Sequence, residues 1–281
     1  MYEVIFLWAL ALVYLLFAVI QDLKTREIAN WLTFSLVIFS LLFRLFYSLF
    51  EKDGFSFFFQ GLIGFVIFFI LGNLFYYAKI FAGGDAKLMI GLGAILPISA
   101  NFYSNIYNFI TFLLIFLFSG FAYILVISII LCIRNFKPFK REFTNQVVKN
   151  RKIVLILNSL AGFMLLLGLA HFYFLIAGGL TFFILYIYLF SKSIDETCMV
   201  RKIQSIHLRE GDWLYSDVKI GNYTIKSTWD GLSKQDISKI RGKYKEIKIR
   251  QGIPFSPNFL ISFIIFVLMT IFNFNLWNSF R

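Results

Sequence analysis

The chain has 281 residues, of which 59% are hydrophobic and 15% are charged, and its formal net charge is +12. Soluble globular domains are about half apolar and carry shorter apolar runs, so this composition excludes a soluble protein and predicts a polytopic membrane protein. Cys132 and Cys198 lack the spacing typical of a disulfide or a metal site, and we interpret both as packing residues.

Apolar windows of about 20 residues predict eight membrane spans. They lie near residues 4–20, 31–50, 56–78, 88–100, 109–133, 153–170, 172–190 and 258–279. No basic residue precedes the first span, which favours a retained span over a cleaved signal peptide. The fourth span is short and ends at Pro97, although it could extend to Tyr107. Only His171 separates the sixth span from the seventh. Totals of seven or nine spans therefore stay open.

Basic residues predict the orientation of these spans. The segments 21–30, 79–87, 134–152 and 191–256 hold 24 of the 27 Lys and Arg residues, whereas Arg44, Lys52 and Arg281 lie elsewhere. Because basic residues accumulate on the cytoplasmic side, we expect these segments in the cytoplasm and the amino terminus outside the cell membrane. The positive charge then reflects topology and contact with anionic lipid headgroups, and no nucleic-acid partner is expected.

The segment 191–257 differs from the rest because its apolar residues alternate. IQSIHL, WLYSDVKI, YTIKS and EIKIR are typical of short strands, and Ser233 with Asp236 predicts a capped helix between them. The predicted fold class is an all-α membrane bundle with a small cytoplasmic α+β domain. We expect a catalytic membrane domain over 1–190, a β-rich domain over 191–257 and a last transmembrane helix over 258–281.

Two aspartates lie beside apolar spans at the same predicted membrane edge. Asp22 follows the first span and Asp85 precedes the fourth, and the chain crosses the bilayer twice between them. Carboxylates near lipid are costly and usually functional. When two share a site, one keeps its proton while the other is charged, and such a pair can activate water for attack on a peptide carbonyl.

The residues around the aspartates give further candidates and simpler explanations. Gly83 and Gly84 leave room for an extended substrate backbone, and Glu27 and Lys87 are candidates for contact with substrate charge. Asp85 also fits a helix cap, which would lower its pKa and favour the charged role. Asp22 equally fits a solvated loop residue, and Lys87 and Glu27 fit a snorkelling lysine and a solvated glutamate.

Two segments resemble a known family. DLKTREIAN, from Asp22 to Asn30, and GGDAKLMIGLGA, from Gly83 to Ala94, resemble the type IV prepilin peptidases and, within them, the archaeal preflagellin and prepilin peptidases. KIRQGIPFSPNFL is similar to the carboxyl-terminal region of archaeal members. These are membrane aspartic proteases of the GxGD class.

The resemblance implies a specific activity. Members cut the short basic leader from class III signal peptides of prearchaellins and prepilins at the cytoplasmic face, with Asp22 and Asp85 matching the two family aspartates. Ala82 stands where the GxGD pattern has glycine, which leaves that turn less certain. The CxxC pairs and methyltransferase segment of bacterial members are missing, so methylation of the product is not implied, and no metal or organic cofactor is expected.

Two other functions remain as alternatives. An ion- or proton-coupled transporter would use intramembrane carboxylates, but such carriers tend to show inverted repeats and charges at the bilayer midplane. A structural scaffold that recruits partners through residues 191–257 would tolerate loss of either aspartate.

Overall fold

The computed structural model describes residues 2–50, 54–221 and 223–272. Lys52, Arg281 and residues 273–279 of the last predicted span lie outside these ranges. The described helices are α1 (Tyr2–Thr25), α2 (Asn30–Ser48), α3 (Ser56–Tyr77), α4 (Gly83–Gly93), α5 (Phe102–Arg134), α6 (Phe136–Lys149), α7 (Arg151–Leu167), α8 (Phe172–Cys198), α9 (Lys234–Lys243) and α10 (Ser256–Ile271). The strands are β1 (Val200–Gln204), β2 (Trp213–Leu214), β3 (Val218–Ile220), β4 (Tyr223–Ile225) and β5 (Glu246–Arg250).

Internal contacts divide the chain into two compact units. The first comprises residues 1–124 and 254–281, and the second comprises residues 125–253. The helices α1 to α4, the first part of α5 and α10 therefore belong to the first unit. The predicted functional division at residues 190 and 257 stays a prediction, since a contact-based division does not test it.

Five helices in the described part of the chain are long and apolar enough to cross a membrane. These are α1, α2, α3, α5 and α8, and α6 with α7 forms a sixth candidate that is bent by 82°. The predicted all-α membrane bundle is thus confirmed, but the predicted count of eight spans is not. The chain is a multi-pass membrane protein by the length and composition of these helices.

The predicted fourth span, 88–100, is the clearest difference from the sequence analysis. Helix α4 has 11 residues and ends at Gly93, and the backbone from Ala94 to Pro97 is not helical apart from a turn. A helix of this length is about 16 Å long, roughly half the apolar thickness of a bilayer. Pro97 cannot continue a helix because it lacks an N–H donor, and the residues Phe102–Tyr107 begin α5 instead.

Arg44 binds the carbonyl groups that the early end of α4 leaves free. Its side chain is fully buried, and its guanidinium donates to the carbonyl oxygens of Ala94 (2.9 Å), Ile95 (3.2 Å) and Pro97. The same group donates to the Phe57 carbonyl at 3.0 Å and lies 4.3 Å from the centre of that ring. A cation inside an apolar bundle is therefore satisfied by backbone dipoles, which explains why this arginine lies apart from the cytoplasmic basic segments.

Glycines allow close contacts around α4. A Cβ atom on Gly61 would overlap the Arg44 side chain, and one on Gly64 would overlap the Gly93 carbonyl. A Cβ atom on Gly72 would lie 2.8 Å from the Ile90 side chain. Small residues let helix backbones approach closely in membrane proteins, so Gly64 and Gly72 hold α3 against α4, whereas Gly61 makes room for Arg44 of α2.

The second unit contains a helical part and a small sheet. Helix α6 replaces the basic loop expected over 134–152, and its Phe139 ring contacts Phe190 of α8 at a centroid distance of 5.5 Å. The helices α7 and α8 are separate elements that pack together through Val154, Leu185 and Leu189. The sixth and seventh predicted spans are thus distinct helices. Helix α7 has 17 residues, which is fewer than the about 20 residues that usually cross a bilayer.

The sheet-containing part confirms the predicted α+β character of residues 191–257. Strands β1, β5 and β2 form an antiparallel sheet in that order, and β3 pairs with β4 as a hairpin. Ser233 caps α9 with Asp236 in a reciprocal capping box, as predicted. Two strand boundaries differ: IQSIHL turns into a short 3₁₀ helix after Gln204, and WLYSDVKI is split into β2 and β3.

Loss of the Arg44 guanidinium is expected to destabilise the first unit. Arg44→Met removes the cost of burying a charge, but it leaves three carbonyl oxygens after α4 without their donor, and each such group costs about 1–3 kcal/mol. We expect a net loss of about 2 kcal/mol, measured by thermal or denaturant unfolding of the protein in detergent.

The glycine beside Arg44 gives a second route to the same test. Gly61→Ala should also destabilise the protein, because the new methyl group would have to displace the arginine. Gly162→Ala in α7 is the matched control, since a Cβ atom there meets nothing within 4 Å. Equal stability of Gly61→Ala and Gly162→Ala would contradict the role assigned to Arg44.

Candidate active site

Asp22 lies on the buried face of α1. The buried positions of this helix recur every three or four residues, which is the period of one helix face, and Asp22 continues that series. Its side chain is only 8% exposed. The members that precede it are Val4, Trp8, Ala11, Leu15 and Ala18. The structure therefore does not support the alternative in which Asp22 is a solvated loop residue.

Asp85 lies in the first turn of α4, outside the five helices that are long enough to cross a membrane. Ala82 is the N-cap residue, and its backbone N–H acts to lower the pKa of the Asp85 carboxyl. Burial and, after it, the negative charge of Asp22 raise the pKa of Asp85 to about 7. These two effects exceed the opposite effect of the Ala82 hydrogen bond.

The two aspartates therefore share one site, because the charge of one acts on the other. Asp85 lies in the first turn of α4, as expected for a residue at a helix start, but the predicted lowering of its pKa is wrong. A capped carboxyl with a lowered pKa would be the charged member, whereas the raised pKa makes Asp85 the member that holds a proton near neutral pH.

The turn between α1 and α2 brings more of the predicted residues together. Arg26 adopts a left-handed conformation (φ 60°), and the Ala29 N–H donates to the Gln21 side chain at 3.1 Å. Asn30, the first residue of α2, accepts a hydrogen bond from the Lys87 ammonium of α4. The Lys87 side chain thus ties α4 to the start of α2, and Glu27 lies exposed in the same turn.

Gly83 and Gly84 have different surroundings. A Cβ atom on Gly84 would lie 3.1 Å from the Ile28 side chain, so this glycine already faces the α1–α2 turn of its own chain. A Cβ atom on Gly83 would meet only the Tyr76 ring, at 3.8 Å. Of the two glycines, Gly83 is therefore the one with room for another backbone.

The amino end of α10 is a third contributor to the site, and its contact with Asp22 is not predicted from the sequence. The Ser256 backbone N–H lies 3.4 Å from the Asp22 carboxylate and points its partial positive charge at it. Tyr123 of α5 is also near, since the charges of Asp22 and Arg26 both act on its hydroxyl, and that hydroxyl donates to the Pro254 carbonyl at 2.9 Å. The helix itself is predicted from its apolar run, and a proline directly after Ser256 is a signal that places its start at this serine.

The described residues hold no group of three or more His, Cys, Asp or Glu side chains that could bind a metal ion. The site contains two carboxyl groups, and the pKa of one of them, Asp85, is raised. Such a pair can take a proton from water and donate a hydrogen bond to a carbonyl oxygen at the same time.

Comparison with known proteins identifies relatives of the first part of the chain. Residues 9–133 match the model of the Type IV leader peptidase family. The chain is 40% identical over 83 residues to preflagellin peptidases from Methanococcus maripaludis and from Methanocaldococcus jannaschii, which is 30% of this chain and 35% of each relative. It is 33% identical over 135 residues to a preflagellin peptidase from Methanococcus voltae, which is 46% of this chain and 57% of the relative.

These matches cover at most 57% of the length of the three relatives. No solved structure matches the chain. The matched segment includes Asp22 and Asp85 and ends before Ser256. The resemblance to type IV prepilin peptidases, and to archaeal preflagellin peptidases within them, is confirmed over this segment.

Substitution of the two glycines is expected to have unequal effects on stability. Gly84→Val adds side-chain atoms against Ile28 and should destabilise the protein by about 1–2 kcal/mol, as overpacking does. Gly83→Val meets no such neighbour and serves as the matched control in thermal unfolding. Equal unfolding temperatures for the two variants would contradict the close packing of Gly84 against the α1–α2 turn.

Proposed function

We propose that this chain, a relative of the type IV leader peptidases over residues 9–133, is a membrane aspartic endopeptidase of the GxGD class. Its substrates are preflagellins, also called prearchaellins, or prepilins, from which it removes the leader. The observation that carries this proposal is the pairing of Asp22 and Asp85 in one site, where the charge of the first acts on the second. The relatives are named preflagellin peptidases, and the family match over residues 9–133 includes both aspartates.

The surroundings of the two carboxyl groups assign them different roles. Asp22 meets the positive end of α10 through the Ser256 N–H. Asp85 has a raised pKa and keeps its proton near pH 7. Asp22 is therefore the base, and Asp85 is the hydrogen-bond donor.

In the first chemical step, the oxygen of a water molecule attacks the carbonyl carbon of the scissile peptide. Asp22 takes one proton from that water as the new C–O bond forms, and the proton on Asp85 moves to the carbonyl oxygen. The tetrahedral intermediate is then uncharged, which avoids an oxyanion in an apolar site. Its collapse breaks the C–N bond, Asp22 returns its proton to the leaving nitrogen, and Asp85 recovers its proton from a hydroxyl of the intermediate.

The proposed substrate geometry follows from the positions of these residues at helix ends. The leader of a class III signal peptide is short and basic, and the exposed carboxylate of Glu27 is suited to contact it. The substrate backbone passes beside Gly83, and its hydrophobic helix lies among the spans. Beside this path of the substrate, Lys87 holds the start of α2 through its hydrogen bond to Asn30. Gly84 allows Ile28 to pack closely against the start of α4.

The proposed topology follows the distribution of basic residues. The amino terminus lies outside, and the ends of α1 and α4 that carry the aspartates lie at the cytoplasmic face of the cell membrane. No metal or organic cofactor takes part. The sheet-containing residues of the second unit then lie in the cytoplasm, together with the leader.

Replacement of either aspartate is expected to abolish cleavage. Asp22→Asn removes the base and Asp85→Asn removes the proton donor, and each should lower kcat by at least about 10³-fold. The measurement is cleavage of a co-expressed preflagellin, read as a shift in its size. Asp230→Asn is the control, because Asp230 is exposed and lies in the second unit. Processing at the wild-type rate by either site variant would exclude the aspartic mechanism.

The activity is also expected to fall as the pH rises through about 7. Asp85 has a raised pKa, so it is protonated below about pH 7 and loses the proton needed for donation above it. In that range, kcat should fall about tenfold for each further pH unit. The pH profile of cleavage in detergent tests this, with thermal unfolding at each pH as a control for stability. A rate that stays constant up to pH 9 would show that Asp85 does not act as the donor.

A further inference from the structure

The amino end of α10 offers a single backbone donor to the active site. Ser256 is the first residue of this helix, and its N–H lies 3.4 Å from the Asp22 carboxylate. Pro257 has no N–H, and the Asn258 N–H donates to the Phe255 carbonyl at 3.0 Å. Of the first three residues of α10, only Ser256 can therefore direct its N–H to Asp22.

The Ser256 hydroxyl is an unexplained polar group at the same point. It is fully buried, and it has no hydrogen-bond partner among the described residues. Buried hydroxyl groups in proteins are nearly always satisfied, and each exception calls for a reason. The other buried serine of α10 follows the rule, because the Ser262 hydroxyl lies 2.6 Å from the Asn258 carbonyl and 3.1 Å from the Phe259 carbonyl of its own helix.

The start of α10 is held firmly against the rest of the site. The Asn258 side chain donates to the Phe116 carbonyl at 3.1 Å and accepts from the Ser119 hydroxyl at 2.7 Å. The Phe255 ring packs on Phe116 at a centroid distance of 5.6 Å. These contacts fix Ser256 beside Asp22, so the unpartnered hydroxyl lies there because of the packing around it.

The same packing reaches the segment that carries the second aspartate. Phe81 lies one residue before the N-cap of α4, and its ring contacts those of Phe255 (6.2 Å) and Phe259 (6.0 Å). The beginnings of α4 and α10 are thus joined through aromatic contacts. A group at the start of α10 is consequently held in register with both carboxyl groups.

We propose that Ser256 is a positioning residue for Asp22, and this inference rests on the proposed function. Its N–H and its hydroxyl donate to the Asp22 carboxylate, and they leave the other carboxylate oxygen to receive the proton of the attacking water. The 3.4 Å distance is longer than an ordinary N–H···O hydrogen bond of about 2.9 Å. Catalytic hydrogen bonds commonly shorten when substrate binds, and we expect the hydroxyl to reach Asp22 in that state.

The test compares three serine variants of the full chain in detergent, with a full-length preflagellin as the substrate. Ser256→Ala removes the hydroxyl and should lower kcat about tenfold with an unchanged KM, because the group acts on the base and does not contact the substrate. Ser256→Thr keeps the hydroxyl and should retain most of the wild-type kcat. Ser262→Ala is the matched control in the same helix and should keep the wild-type kcat.

The outcomes separate this inference from the proposed function. Ser256→Ala with a wild-type kcat, or Ser256→Thr as slow as Ser256→Ala, would overturn the role of the hydroxyl while Asp22→Asn remains inactive. If Asp22→Asn and Asp85→Asn also cleave at the wild-type rate, the proposed function itself fails. Thermal unfolding of each variant shows whether a slow rate follows from loss of the fold. A Ser256→Ala variant that unfolds at a lower temperature than the wild type and has a raised KM would count against the inference.

Discussion

Repulsion between the carboxyl groups of Asp22, which is buried, and of Asp85, which is half-buried, is the constraint around which the first unit is arranged. Asp22 and Asp85 lie so close that the charge on one makes ionisation of the other unfavourable. A protein can keep such a pair only if one member is stabilised as an anion and the other as an acid. The start of α10 provides the first condition through the Ser256 N–H, and burial at the start of α4 provides the second.

The geometry of the pair depends on a helix that is too short to cross a membrane. Helix α4 is held at its amino end by the Lys87–Asn30 contact and beyond its carboxyl end by Arg44. Its sides are packed against α3 through glycines that admit close backbone contact. A helix fixed at both ends and along one side cannot slide along the bundle, so Asp85 stays level with the last turn of α1, where Asp22 lies.

Several of these features were predictable from sequence because they follow from local pattern. Buried residues recur every three or four positions along α1, and Asp22 continues this series. The apolar runs predict most of the residues of α1, α2, α3 and α8. The capping box at Ser233 follows from four adjacent residues. The prediction that Asp22 and Asp85 lie at the same membrane edge required only that two spans separate them. In each case the physical cause lies within the segment itself or in the count of crossings.

The features that the sequence does not predict arise from contacts between segments that are far apart in the sequence. The residues 88–100 are apolar enough for a span. Only the contacts of Arg44 show how the carbonyl groups that follow the end of α4 find hydrogen-bond donors. The contribution of Ser256 to Asp22 joins residues 234 positions apart. The direction of the Asp85 pKa shift was mistaken because a helix start lowers a carboxyl pKa, whereas burial and a second carboxylate raise it more.

The central claim is that one proton resides on Asp85 while Asp22 is charged, and infrared spectroscopy observes this proton most directly. Titration of the full chain from pH 5 to 9 should show a protonated-carboxyl C=O band that disappears near pH 7 and is absent from the Asp85→Asn protein. In the Asp22→Asn protein the same band should disappear at a lower pH, because the neighbouring charge is gone. A band that persists unchanged in Asp85→Asn, or one that titrates identically in Asp22→Asn, would contradict the account.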